Sequence, residues 1–398
     1  MSKIDEFYCD RVVQGSGVLR DFSTHFSRIA PQGTTALIVG DENEQNYQTA
    51  RDVIARFYQI EPINSRNQTV NLVDRIKIKS EIGLIVSVGD ARSLAVGKFL
   101  SHKYGLKHIF IALSPCCLTY LSPYATLYHK DGYGEVYSAL IPDLVICDDS
   151  LITNDDLIAD AYGQICARLT ALIDIDFRSA VENEKIKQGY SNLLQTIVDL
   201  VKEKEITKDK ILKYSLASSY YLAQIDWTGD GSTQFAHAVS LYAKKSGKKV
   251  QSEEKTDGLC AKIILATYEC ALKNSLKNGV FVPDNNGYFI ALTTALGVSP
   301  FRAHKILSKI ENRAFVSEKL YRLSLYRAEI YNRAKIYRKT LVFTALKQKR
   351  LYKDKGFSYN GYVGREQISR ILPLVSEMKG KFTLFSLLKQ TGYLRPKL

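Results

Sequence analysis

Residues 83–105 read GLIVSVGDARSLAVGKFLSHKYG. The first seven are a short apolar run that stops at Gly89. From Ser93 the apolar residues recur at helical spacing, and the stretch closes on Gly105. A buried strand, a glycine turn and a helix form one βα unit. The alternation repeats on both sides. ALIVG (36–40), HIFIAL (108–113) and DLVIC (143–147) read as further strands, and NYQTARDVIARFYQI (46–60) as a helix between two of them. Strands separated by helices predict a parallel sheet whose ligands bind at the strand carboxyl ends. From Asn154 the pattern changes. NDDLIADAYGQICARLTALIDIDF (154–177) predicts one helix with an acidic start, followed by helices over 185–204, 209–225, 232–245, 256–275, 286–296 and several beyond 300. The expectation is a Rossmann-like α/β domain over 1–150 followed by an all-helical domain over 151–398. KSGKKVQSEEKTDG (245–258) reads as a polar loop or flap.

With 398 residues and 45% hydrophobic content, the chain can bury a sizeable core, which excludes wholesale disorder. MSKIDEFYCD has no apolar run behind a basic end, so no secretory signal is expected. IFIALSPCCLTYLSPYATLY (109–128) is long enough to span a bilayer, but Pro115, Pro123 and its hydroxyls predict a buried strand and a loop instead. The seven cysteines form no CxxC, which fits reduced, buried thiols in a cytoplasmic protein; adjacent Cys116 and Cys117 leave a reactive pair as the alternative. The net charge of +14 is uneven: residues 301–350 carry 14 Lys/Arg against 3 Asp/Glu. That concentration points to an acidic protein partner, a phosphorylated small molecule or nucleic acid, and to assembly with itself or another subunit. No membrane partner is expected.

The basic window contains KLYRLSLYRAEIYNRAKIYRKTL (319–341). Leu323, Tyr326, Ile330, Ala334, Tyr337 and Leu341 recur at steps of three or four and predict one apolar helix face, with Arg322, Arg333, Lys335 and Lys339 off it. The run continues to KQKRLYKDK (347–355). Tyrosines among arginines either stack on bases or pack a helical domain with their charged neighbours in solvent.

Elsewhere there is no HExxH, GxSxG, GxxxxGK[ST] or zinc-type cysteine spacing. GDGSTQFAHAV (229–239) places Thr233 one helical turn before His237, a spacing at which two histidines would share a metal. On residues alone, Thr233 faces solvent and His237 is a satisfied buried histidine.

Five stretches, in order, resemble one superfamily: the sn-glycerol-1-phosphate dehydrogenases with dehydroquinate synthase, glycerol dehydrogenase and iron-containing alcohol dehydrogenase. They are TTALIVGDENEQNYQTA (34–50), LIVSVGDARSLAVGKF (84–99), ALSPCCLTYLSPYATL (112–127), YGQICARLTALIDID (162–176) and GDGSTQFAHAV. The resemblance implies NAD(P) in the N-terminal domain. It also implies a divalent metal, held by one aspartate and two histidines, that polarises a hydroxyl or carbonyl during hydride transfer. Carried over, the three ligand positions fall on Gln164, Thr233 and Asn286, all neutral, which predicts that the metal is absent. His237 falls on a substrate-side histidine.

The cofactor loop becomes Gly89-Asp90-Ala91 where the family has glycines that approach a pyrophosphate. An Asp90 carboxylate ~4 Å from a phosphate would cost about 4 kcal/mol per charge pair at an effective dielectric near 20, partly offset by Arg92. The alternative is that Asp90 caps the next helix. Asp41 either binds a ribose hydroxyl or ends a strand. Leu118 replaces a substrate-loop aspartate, while Lys98, Tyr120 and Ser122 persist. Two readings follow: a member that has lost its metal and works by binding, or an oxidoreductase or lyase on a phosphorylated polyol, with His237, Lys98 and Tyr120 moving protons. A third is nucleic-acid binding through 319–355.

Overall fold

The computed structural model describes residues 9–21, 24, 26, 29–30, 34–44, 46–66, 68–248, 253–273, 285–308, 313–352, 365–374, 382–391 and 394. They divide into two compact units. The first comprises 1–130, 135–161 and 198–226; the second comprises 131–134, 162–197 and 227–398. The chain therefore does not part at a single point near residue 150. It passes from one unit to the other inside a helix, and a later helix returns to the first unit.

The strands are β1 (Val12–Gly15), β2 (Thr35–Gly40), β3 (Gln59–Asn64), β4 (Ile82–Gly89), β5 (Lys107–Ala112), β6 (Tyr124–Tyr128), β7 (Gly134–Ser138) and β8 (Leu144–Asp148). Six of them form one sheet in the order β1-β8-β5-β4-β2-β3, every pair parallel; β6 and β7 pair separately. Both faces are covered, as a parallel sheet requires. Ile38, Val86, Ile111 and Ile146 pack to one side, and Leu37, Ile85, Phe110 and Val145 to the other. β1 and β3 were not anticipated. Each is an edge strand, so neither carries the continuous apolar run of a central one; β3 even contains Pro62, which an edge tolerates.

Helices α1 (Tyr47–Ala55), α2 (Val70–Arg75) and α3 (Ala91–Tyr104) connect these strands. After β2 the chain goes outward to β3, then returns to place β4 on the other side of β2. This reversal puts the sheet's switch point at the carboxyl ends of β2 and β4, that is, at Gly40-Asp41 and Gly89-Asp90. The run 109–128 begins as the expected strand and loop but ends in a second strand, β6, that was not anticipated, and no helix among the described residues is long and apolar enough to cross a membrane.

Helices continue as α4 (Asp156–Ala167), α5 (Leu169–Glu182), α6 (Gly189–Lys202), α7 (Lys208–Gln224), α8 (Gly231–Lys245), α9 (Glu253–Lys273), α10 (Asn285–Ala295), α11 (Pro300–Leu307), α12 (Arg313–Leu351), α13 (Arg365–Ile371) and α14 (Leu384–Gln390). Three expectations are corrected. The helix predicted over 154–177 breaks at Arg168, whose buried ion pairs fix its position. The loop predicted over 245–258 gives way to α9 at Glu253, whose carboxylate holds His237; 249–252 lie outside the described residues. Tyr326 is exposed, whereas Leu323, Ile330, Ala334, Tyr337 and Leu341 are buried as predicted. At 100° per residue Tyr326 falls at the rim of that face. Residues 353–355 of the basic run lie outside the described residues. In the second unit α9 packs between α8 and α12, and α5 also lies against α12.

Candidate functional site

At the switch point, Asp90 is the N-cap of α3. Its Oδ1 accepts from Arg92 N at 2.9 Å and Ser93 N at 3.2 Å. Of the two alternatives the sequence left open, capping is the one realised. The two amides that a bound phosphate would need at this helix start are thus already engaged. Gly89 has φ +136° and supports a close approach, but of a side chain from its own chain. A Cβ placed on Gly89 would lie 2.4 Å from Glu44 Oε2. Burial first, then the charges of Asp90 and Asp41, push the Glu44 carboxyl up to about 8. Three acids therefore converge where the resemblance implies a pyrophosphate. Glu44 was missed because nothing in DENEQ distinguishes it from a solvent-facing turn residue.

The other carried-over residues of this unit are held by protein. Asp41 accepts from Asn43 N at 3.0 Å and lies 3.7 Å from Arg66, a turn geometry. Ala91 opens α3. Lys98 is fully buried, and its Nζ donates to the carbonyls of Thr119 and Ser122, the latter at 2.7 Å. Burial lowers its pKa to about 7, with Cys117 opposing. Tyr120 is equally buried and donates to Ser114 O at 2.5 Å. Ser122 Oγ accepts from Tyr124 N at 3.2 Å. All seven cysteines are free thiols. Burial raises the Cys117 pKa to about 11, away from the reactive thiolate form.

In the second unit, Asp230 caps α8 through a reciprocal box. Ser232 N and Thr233 N donate to Asp230 Oδ1 at 2.9 and 3.1 Å, and Asp230 N donates to Thr233 Oγ1 at 2.8 Å. Thr233 Oγ1 in turn donates to Asp230 O at 2.9 Å. The Thr233 hydroxyl is thus turned into the helix start, half-buried rather than facing solvent. His237 is buried: Nε2 accepts from Gly134 N at 3.0 Å and Nδ1 lies 2.7 Å from Glu253 Oε1. An Nε2 that accepts leaves the proton on Nδ1, so the geometry holds a neutral imidazole donating to Glu253. The side-chain oxygen of Gln164 is buried without a hydrogen-bond partner, and Asn286 is exposed at the start of α10.

Sequence reasoning also missed the polar centre beside these residues. Arg168 is fully buried and ion-paired to Asp230 at 2.5 Å and to Asp257; it also donates to Ser232 Oγ at 3.2 Å. Its guanidinium lies 5.0 Å from the ring centroid of Trp227, whose indole N–H donates to Asp230 at 3.1 Å. Asp174 accepts from Gly231 N, Tyr268 Oη and Leu384 N within 3.0 Å. Burial, then Asp230, raises its pKa to about 7, and burial raises that of Asp257 to about 6 despite Arg168. The only signal was charge at core phase inside ARLTALIDID.

No family model matches the chain. It is 24% identical over 268 residues to the glycerol-1-phosphate dehydrogenase [NAD(P)+] of Hyperthermus butylicus, covering 61% of this chain and 74% of that protein. Its backbone is similar to that of glycerol dehydrogenase from Schizosaccharomyces pombe, with TM-score 0.51 and 12% identity over 87% of this chain and 91% of that one. It is also similar to maleylacetate reductase from Rhizobium sp. strain MTP-10005, with TM-score 0.50 and 12% identity over 98% and 97%. These similarities show that the chain has the fold of the glycerol dehydrogenases and maleylacetate reductases.

The superfamily's metal and cofactor can be tested against these residues. Gln164, Thr233 and Asn286 offer a dication no negative charge, and the Thr233 hydroxyl already serves its helix cap. Among the described residues no group of three His, Cys, Asp or Glu could hold a metal ion. The donor set does not fit a divalent metal. Nor does the Gly89 loop, with its amides on Asp90 and Glu44 against its glycine, fit a pyrophosphate.

Glu44 makes this loop testable by pH. A carboxyl whose pKa rises from 4.5 unfolded to about 8 folded binds more protons in the native state across that interval. Stability then falls as pH rises, by up to about 1.4 kcal/mol per unit. Glu44→Gln is expected to flatten the slope between pH 5 and 8 and to be the more stable protein at pH 8, as read by urea unfolding.

Proposed function

We propose that the chain keeps the superfamily framework without metal-assisted hydride transfer and works by binding, as a partner subunit. The observation that carries this reading is the start of α3, where Asp90 takes the amides needed by a dinucleotide and Glu44 occupies the space over Gly89. The neutral metal positions support the same conclusion independently. The relative in Hyperthermus butylicus is a glycerol-1-phosphate dehydrogenase that uses NAD(P)+ by its name. The competing outcome is that this chain oxidises or reduces a phosphorylated polyol.

Metal analysis of the purified chain together with titration of NADH and NADPH by nicotinamide fluorescence separates the two. The expected result is trace metal only and no saturable binding at micromolar cofactor. One equivalent of zinc, iron or nickel, with micromolar cofactor affinity and turnover that a chelator abolishes, would overturn the reading.

A further inference from the structure

From Ile330 to Arg350, helix α12 carries seven Lys/Arg and no Asp/Glu. Four of these cations are engaged within the second unit: Arg333 with Asp176 and Glu329, Arg338 with Glu269, Lys335 over the Tyr331 ring and Lys347 over the Tyr162 ring. Among the described residues, Lys339, Lys349 and Arg350 are exposed and face no carboxylate. One side of the helix is buried through Ile330, Ala334, Tyr337 and Leu341. The other presents Ile336, Phe343 and Leu346 at 60%, 69% and 58% exposure.

Helical geometry fixes how these residues lie. Ile336 and Phe343, seven apart, differ by about 20° around the axis, and Leu346 stands about 60° further round. Lys339 and Arg350 project between Phe343 and Leu346, so two cations lie inside the apolar stripe rather than along its margins. We propose that this face of α12 docks an acidic amphipathic helix of another protein. Its apolar ridge would cover Ile336, Phe343 and Leu346, and its carboxylates would meet Lys339 and Arg350.

The arrangement argues for this occupant over three others. A second copy would bring the same cations onto each other, a like-charge juxtaposition that disfavours pairing. A bilayer accepts a helix face whose charges flank the apolar stripe, whereas Lys339 and Arg350 lie inside the stripe and would be carried into the apolar layer with it. Nucleic acid would meet the cations but leave three large apolar side chains uncovered. A helix that packs apolar residues at three- and four-residue steps satisfies both requirements. The inference does not depend on whether the chain catalyses a reaction.

The test uses the full chain and a fluorescein-labelled 21-residue helical peptide with Leu at three- and four-residue steps flanked by Glu. Saturable binding is expected, weakened about tenfold between low and moderate salt. Lys339→Glu with Arg350→Glu should weaken it at least about tenfold and create binding to the same peptide with Lys for Glu. Phe343→Ser should weaken it without changing thermal unfolding, because the side chain is exposed. Binding indifferent to both variants overturns the proposal. So does tighter capture of phosphatidylserine vesicles or duplex DNA by this face, or a dimer that Phe343→Ser converts to monomer in sedimentation.

Discussion

Arg168→Met is expected to lower the unfolding free energy by about 3–5 kcal/mol, the usual cost of removing one partner of a buried ion pair. Among the described residues the guanidinium is the one cation paired with Asp230 and Asp257, and all three side chains are within 3% of complete burial. Its loss leaves both carboxylates without their countercharge, and Asp174, whose pKa Asp230 already raises, stands beside them. Methionine fills much of the volume, so the loss is mainly electrostatic rather than a cavity effect. The deficit should grow with pH. Carboxylates with raised folded pKa values bind extra protons in the native state, and that protection fades as pH rises through those values. Urea unfolding at pH 5 and pH 8, followed by Trp227 emission, measures both quantities. Trp227 is the chain's single tryptophan and touches the group being removed. A loss below about 1 kcal/mol at pH 8 would mean that the two aspartates do not depend on Arg168.

Gly97 carries the second large effect. It lies in α3 where that helix crosses β4 and β5, and a Cβ built there would sit 1.8 Å from Ser87 Oγ and 2.7 Å from His108 Nε2. Both neighbours are fully buried and hydrogen-bonded to each other at 2.9 Å. Alanine gains about 1 kcal/mol of helix propensity over glycine, yet overpacking a closed core costs about 1–3 kcal/mol. Gly97→Val adds two more methyl groups and loses most of the propensity gain, so about 3 kcal/mol or more of destabilisation is expected. Removing the Ser87 hydroxyl distinguishes the cause: Gly97→Ala should be better tolerated in Ser87→Ala than alone. A double-mutant cycle without coupling would exclude the clash as the reason.

These two positions mark where the sequence was legible and where it was not. The central strands β2, β4, β5 and β8 were readable because each is buried on both faces and must be an unbroken apolar run. β1 and β3 lie at the sheet edges and carry no such signal. The cap at Asp90 was readable because capping is local, decided by two amides within three residues. Glu44 was not, because it meets Gly89 only after the chain has passed through β3 and returned to β4. Arg168 was hidden for a similar reason. Its partners stand 62 and 89 residues away, so the apolar periodicity of 154–177 read straight through the break that they impose. The basic helix was legible in its buried face, while Tyr326 lay too near the rim of that face for spacing alone to place it.

Pro62 has a consequence for how copies of this protein can come together. A sheet's outermost strand ordinarily offers every second amide and carbonyl to any extended segment that reaches it, the route by which sheets fuse and fibrils grow. Midway along β3 one of those amides is missing. A strand laid alongside would find its ladder interrupted, which protects that margin of the sheet against runaway edge-on growth.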